Sequence, residues 1–314
     1  MQLIRGLHNL LQSSLNFPDG SVLTIGNFDG VHLGHQQILK QLKKEALKLN
    51  LPSVVMIFEP LPIEFFNAKK APVRLMNLRE KVECLKETKL VDNVLLCKFN
   101  QAFADKSALE FVQELLVNRL NVKTLIIGDD FKFAKNREGD FSFLQSEGKK
   151  HGMKVIAQST FKLEGERVSS TRIRQCLTEN KLAETDKLLG RPFGFKGRVM
   201  HGKKLGRQLG FRTLNLNPKR NRMPVEGVYS VFVTGLADNK VAGIANIGVR
   251  PTINGVQPAI EIHLFDWNKD VYGKHVGVQL HQFIRAEQKF NGLEELKNQI
   301  QLDVITAKKL LEIE

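Results

Sequence analysis

The stretch SVLTIGNFDGVHLGHQQILKQLKKEALKLN, residues 21–50, decides how the first half of the chain is read. SVLTIGNF is a short apolar run of strand type. HQQILKQLKKEALKLN repeats apolar residues at helical spacing, placing Ile38, Leu42, Ala46 and Leu49 on one face. Between the two lies a turn where Gly26, Gly30 and Gly34 permit close backbone approach. A strand running through such a turn into a helix start offers unpaired N–H groups and a positive dipole end, a natural seat for phosphate. His32 and His35 are three residues apart and share a helical face. Imidazoles there can donate to phosphate oxygens and stabilise charge building on a phosphoryl group. A zinc reading lacks third and fourth ligands at suitable spacing. A plain helix cap is the bland alternative, and the strand and glycines weigh towards nucleotide.

Outward from this stretch, strand and helix signals alternate. PSVVMIFEP, VDNVLLCKF, VKTLIIGDDF and MKVIAQSTF read as strands, and NLREKVECLKET and SALEFVQELLVNRL as helices. Ser107 is an N-cap for the latter, with Glu110 three residues on. Such alternation implies a mainly parallel sheet covered on both faces, with ligands beyond the C-terminal strand ends. GNFDG and GDDF both fall there. Later in the chain, VSSTRIR (168–174) brings hydroxyls and backbone N–H groups to another helix start, with Arg172 and Arg174 adding permanent charge. By itself it reads equally as a capped helix with surface arginines.

The pattern then changes. GFKGRVMHG, GVYSVFVTGL, KVAGIANIGV, AIEIHLFDW and HVGVQLHQFI are short strand-like runs divided by Gly, Pro and Asn turns, without helices between them. That predicts a small antiparallel barrel, closed by a C-terminal helix over NGLEELKNQIQLDVITAKKLLEIE. The boundary is placed near Ala183, giving domains 1–183 and 184–314. In HGKKLGRQLGFRTLNLNP (201–218), Gly202, Gly206 and Arg207 suit phosphate contacts, and Thr213 and Asn215 carry oxygens suited to a hard cation such as Mg2+. In AIEIHLFDW, alternation puts Ile260, Ile262 and Leu264 on the core side and Glu261 with His263 on the other. Beside bound ATP, a carboxylate there can take the proton of an attacking hydroxyl. From alternation alone, an exposed glutamate on a half-solvated strand is the simpler reading.

Composition narrows the classes. At 314 residues, two domains are expected. No apolar run approaches the roughly 18 residues of a membrane span, and the N-terminus makes a poor signal peptide. Cys84, Cys97 and Cys176 form no CxxC pair, which points to buried thiols in a cytoplasmic setting. The net charge of +14 divides evenly between residues 1–183 and 184–314, but residues 187–225 contain no acid at all. A nucleic-acid-binding protein would interleave its basic residues with stacking aromatics, and this stretch offers Phe193, Phe195 and Phe211 alone. Nucleic acid is therefore not the expected partner.

Taken together, GNFDGVHLGH and VSSTRIR look like the HxGH and ISSTxxR signatures of the nucleotidylyltransferase superfamily. With FEPLPIEFF and GDDFKF, the first half resembles the FMN adenylyltransferase module of bacterial bifunctional riboflavin kinase/FAD synthetases. The order of GRVMHGKKLGRQLGFRTLNL, GVYSVFV, GIANIGVRPTI and EIHLFD resembles that family's riboflavin kinase domain, so the likeness spans residues 15–310. It implies an α/β parallel-sheet, Rossmann-like domain followed by a six-stranded antiparallel barrel. It also implies two steps: riboflavin and ATP to FMN and ADP, then FMN and ATP to FAD and pyrophosphate. By this resemblance His32 and His35 steady the phosphates, Gly26, Asn27 and Asp29 line the nucleotide pocket, and Ser170, Thr171 and Arg174 hold its β/γ end. Thr213 and Asn215 would bind Mg2+–ATP, Gly202, Gly206 and Arg207 would line the phosphate loop, and Glu261 would be the base.

The sequence departs from the family's pattern in three places. Leu61 stands where many relatives have histidine, so that position cannot donate a hydrogen bond. Ala134 replaces a usual glycine, which reads as a mild change. The kinase motif FPTAN is FRTLN here, with Arg212 for Pro and Leu214 for Ala, a change expected to alter the loop and lower kinase efficiency. A monofunctional enzyme with one half degenerate is the closest rival reading.

Overall fold

A computed structural model describes residues 1–10, 17–201, 210–252 and 255–313. The chain divides into two compact units. One comprises Met1–Pro72 and Lys81–Ser169, the other Val73–Glu80 and Ser170–Glu314.

The first unit is built on strands β1 (Gln2–Arg5), β2 (Ser21–Ile25), β3 (Ser53–Glu59), β4 (Asn93–Lys98), β5 (Val122–Gly128) and β6 (Lys154–Gln158). They form one sheet in the order β1-β4-β3-β2-β5-β6, and every neighbouring pair is parallel. The five expected strands are present as β2 to β6, as are the helices Leu33–Leu49 and Leu78–Glu87. β2 is buried along its whole length, as a central strand covered on both faces must be. The edge strand β1 has no counterpart in the sequence reading, because Ile4 alone is buried and four residues carry little pattern. The strand order reverses direction at β2, with β3 on one side and β5 on the other. This is the topological switch point, and GNFDG and GDDF leave the sheet there together.

Two details differ from expectation. The Leu33–Leu49 helix buries Leu39, Leu42 and Ala46, while Leu49 at its end is exposed. SALEFVQELLVNRL does open on a capping box, with Ser107 Oγ accepting from Glu110 N and the Glu110 carboxylate accepting from Ser107 N. Its residues Phe111–Arg119, however, are hydrogen-bonded as a π-helix.

The second unit contains helices Ser170–Thr178 and Leu182–Leu189, then strands β9 (Gly194–Met200), β10 (Thr213–Leu216), β11 (Gly227–Thr234), β12 (Val241–Thr252), β13 (Gly255–Leu264) and β14 (His275–Arg285). Strands β7 (Lys162–Leu163) and β8 (Glu166–Arg167) form a small hairpin in the first unit. The six later strands close into an antiparallel barrel in the order β10-β13-β12-β11-β14-β9. Its interior is aliphatic, from Leu214 and Leu216 through Ala245 and Ile247 to Ile260 and Ile262. The helix Leu293–Leu310 lies on the outer face, where Ala307 and Leu311 pack with Val228, Ile244 and Phe265. Arg285 pins it by a bidentate pair with Asp303, Nε–Oδ1 2.9 Å and Nη2–Oδ2 2.7 Å. The compact units change over at Ser169/Ser170, where the two short helices pack on one another and Leu182–Leu189 on β14.

Two candidate active sites

His32 is the N-cap of the Leu33–Leu49 helix, and its Nδ1 accepts the His35 backbone N–H at 3.3 Å. That bond leaves the proton of a neutral His32 ring on Nε2, which is then a donor. The two imidazoles stack with centroids 3.6 Å apart, and Phe28 flanks His35 at 4.9 Å. Phe28 and Val31 are buried with φ of 45° and 41°, so the turn is wound tightly enough to hold non-glycine residues left-handed. Gly34 has a specific steric reason: a Cβ there would lie 3.2 Å from the His32 ring and 3.3 Å from the Val168 carbonyl. The first unit therefore brings the entrance of VSSTRIR against the histidine turn. Asp29 is buried, whereas Asn27 is exposed. On the neighbouring strand end, Arg167 donates to Asp130 at 2.6 Å, and this bond raises the arginine's pKa further.

Ser170 begins the helix Ser170–Thr178 in the second unit, with Thr171 exposed beside it. The two arginines of the motif have different partners. Arg172 grips Glu184 through Nε (3.2 Å) and Nη2 (2.6 Å), tying the two short helices together. Arg174 donates its Nε–H to the Val73 carbonyl at 2.6 Å, which fixes the plane of its guanidinium.

The barrel supplies the second constellation. Asn215 on β10 pairs in register with Glu261 on β13, which in turn pairs with Asn246 on β12. Directly opposed side chains of this kind stand about 4.5–5.5 Å apart at Cβ. Thr213, two residues before Asn215, points to the same side and faces His263. Thr213, Asn215 and Glu261 thus share the outer barrel face, away from the buried Ile260 and Ile262. His263 donates Nδ1–H to the Arg212 carbonyl at 2.9 Å, holding the entry to β10. A cavity of about 330 Å3 opens beside Thr213, lined by Arg212, Leu214, Ile262, Leu264 and the loop Trp267–Tyr272. Its volume lies in the range of small-ligand sites. Gly202, Gly206 and Arg207 lie outside the described residues.

Sequence reasoning missed several groups. Asn246 donates to the Glu287 carboxylate at 3.0 Å, and that carboxylate lies where a Cβ on Gly248 would be, 2.2 Å from Oε1. The signal was a lone Asn in the apolar run GIANIGV. In the first unit, Phe58 and Phe99 at the C-terminal ends of β3 and β4 form a ring cluster with Phe65, Phe66 and Phe103. Phe66 is 67% exposed on it. The acid-free stretch is also less available than its charge suggests, since Arg220 is buried on Glu80.

Among the described residues no group of three or more His, Cys, Asp or Glu is placed to hold a metal ion. The Thr213–Asn215 oxygens instead fit a hard cation that keeps waters and arrives with substrate phosphates.

A histidine turn at the switch point of a parallel sheet, and a barrel with Thr213, Asn215 and Glu261 on one face, are an architecture that suits a two-domain phosphoryl- and nucleotidyl-transfer enzyme. Residues 15–172 match the family model for FAD synthetase, and residues 189–311 that for riboflavin kinase. The bifunctional riboflavin kinase/FMN adenylyltransferase of Escherichia coli strain K12 is 49% identical over 98% of this chain and 97% of its own. The corresponding protein of Haemophilus influenzae is 47% identical over 98% of both. The chain belongs to the bifunctional riboflavin kinase/FMN adenylyltransferase family. A solved structure from Streptococcus pneumoniae, described as a macrolide-efflux protein, is 31% identical with a TM-score of 0.78 over 96% of this chain and 97% of that one. No helix among the described residues of this chain is long and apolar enough to cross a membrane.

Proposed function

We propose that the chain's two activities, riboflavin kinase and FMN adenylyltransferase, both draw on ATP and are divided between its two motif sets. The observation that carries the kinase half is the register that sets Glu261 opposite Asn215, with Thr213 on the same face. Glu261 takes the proton of riboflavin's terminal ribityl hydroxyl as its oxygen attacks the γ-phosphorus. The bond to the β–γ bridging oxygen breaks, and ADP leaves. Thr213 and Asn215 hold Mg2+ with the nucleotide phosphates; when bound, the ion neutralises phosphate charge. The cavity beside Thr213 receives the rest of the nucleotide.

In the adenylyltransferase half, an oxygen of the FMN phosphate attacks the α-phosphorus of ATP and pyrophosphate leaves. The nucleophile is already ionised at neutral pH, so positioning and charge stabilisation suffice. His32 and His35 donate to the phosphates from the helix start, Gly26 and Asp29 shape the turn, and Asn27 is exposed at its mouth. Ser170, Thr171 and Arg174 hold the β/γ end. The exposed Phe66, held edge-on by Phe65 and Phe99, offers an apolar ring at the strand ends, suited to contact with the isoalloxazine ring. Three buried cysteines without a disulfide fit a reducing cytoplasm.

The test is incubation with riboflavin, ATP and Mg2+, following FMN and FAD by chromatography. Glu261→Gln should lose FMN formation by a factor on the order of 10^2–10^4 while still converting supplied FMN to FAD. His32→Ala/His35→Ala should show the reverse. A variant that loses both FMN formation from riboflavin and FAD formation from supplied FMN, or formation of neither product by the unaltered chain, defeats the assignment.

A further inference from the structure

We infer that residues 73–80 are a strap through which buried Arg220 positions Arg174 for ATP in FAD synthesis; this rests on the role proposed for Arg174 above. All of these residues belong to the second compact unit.

The Val73 carbonyl is the acceptor that orients the Arg174 guanidinium, at 2.6 Å from Nε. The next two carbonyls of the strap, those of Arg74 and Leu75, accept from Arg220 Nη1 at 3.2 and 3.0 Å. One nitrogen on two consecutive carbonyls holds successive peptide planes, and the peptide carrying the Val73 carbonyl adjoins them. Leu75 anchors the same point, being 1% exposed.

Arg220 is itself held from several sides. Its side chain is 2% exposed, its Nη2 pairs with Glu80, and its guanidinium lies 4.9 Å over the Phe195 ring. Glu80 closes the strap. Its carboxylate accepts from Asn77 N at 2.8 Å and from Lys196 N at 3.0 Å, while Asn77 Oδ1 accepts from Glu80 N at 3.0 Å. Asn77 Nδ2 also donates to the Pro218 carbonyl at 3.2 Å. The planar fork meets two carbonyls through one nitrogen and the carboxylate through another, where a lysine would bring a single nitrogen. Arg220 touches none of the reacting groups in this scheme and is a positioning residue.

The experiment uses the full chain. Removing Arg220 alone would leave Glu80 buried without its counter-charge, so the main variant is Glu80→Gln/Arg220→Met, with Arg220→Lys as a charge-retaining second. Steady-state kinetics of FMN to FAD are measured against ATP, with riboflavin phosphorylation and thermal unfolding in the same preparations. A small displacement of Arg174 should raise KM for ATP in FAD formation roughly tenfold or more, as misplacement remote from the chemistry does. Riboflavin phosphorylation should stay within about twofold of the unaltered chain. Arg174→Lys, which removes Nε, should produce the same KM rise, and adding Arg220→Lys to it should change little further. Unchanged KM in the Arg220 variants, equal losses in both reactions, or effects that multiply independently overturn the inference. If Arg174→Lys itself leaves KM for ATP unchanged, the proposed role of Arg174 falls and takes the strap's role with it.

Discussion

Ala134→Gly is expected to stabilise the protein, although glycine for alanine normally does the opposite. Ala134 has φ 65° and ψ −176°, a region that glycine alone occupies without strain. The sequence comparison with the family made this a mild substitution, and the backbone shows it is not. Its neighbours leave little room for relief: Phe133 N–H and carbonyl both bond to Gly139 at 3.1 Å, and Lys135 N–H bonds to the Lys106 carbonyl at 3.0 Å. Holding a residue with a Cβ in this region costs of order 1–3 kcal/mol. Against that, glycine makes the unfolded chain more flexible, at about 0.4–1 kcal/mol. Ala134 is half-buried against the core, so losing its methyl forfeits part of about 0.8 kcal/mol. The balance is a gain of about 1 kcal/mol. Urea unfolding followed by circular dichroism measures it as a higher midpoint at unchanged slope. The control is Ala102→Gly, on an exposed helical alanine, which should cost up to about 1 kcal/mol. If Ala134→Gly destabilises as much as the control does, the strained conformation is refuted.

Three further outcomes follow from particular residues. Phe66→Ala should raise KM for FMN in FAD formation with little change in thermal stability, since the ring is mostly exposed; a large fall in melting temperature instead would make it a packing residue. Arg212→Pro/Leu214→Ala should raise kcat/KM for riboflavin phosphorylation but cost about 2–5 kcal/mol of stability, because Leu214 points into the barrel and is 4% exposed. Unchanged turnover would end the idea that these two residues slow the kinase. Burial pushes Asp186 up to about 6, against the opposing Phe193 N–H and the nearby His281 and Arg191. The folded state then binds a proton that the unfolded state releases, so this group's contribution falls as pH rises from about 4 through 6. Asp186→Asn should reduce the difference between urea midpoints measured at about pH 4.5 and about pH 7.5; an identical difference would exclude this carboxyl as its source.

Much of the site was legible because its parts are local. The glycine–histidine turn is one continuous segment, and its helix start and shared face both follow from spacing. The same holds for Ser107 with Glu110, whose capping box is complete within four residues. Alternation in AIEIHLFDW correctly separated Glu261 from Ile260 and Ile262. It could not say which polar residues would stand beside Glu261, because strand register is set by the packing of the whole barrel. Asn246 and Glu287 were missed for that reason.

The sequence by itself determined the two kinds of architecture, the helix start at the histidine turn and the alternation that sets Glu261 apart from the barrel core. These depend on periodicities of 2 and 3.6 residues and on glycine placement, which a short window contains. Tertiary structure alone decided that Asn215 faces Glu261 across a strand pair. It also decided that residues 73–80 leave their sequence neighbours to join the second unit, and that Arg220 is buried on a glutamate 140 residues away. It revealed the left-handed backbone at Ala134 as well. Each depends on which distant segments pack together, a choice made by burying apolar surface and pairing the polar groups that burial would otherwise strand.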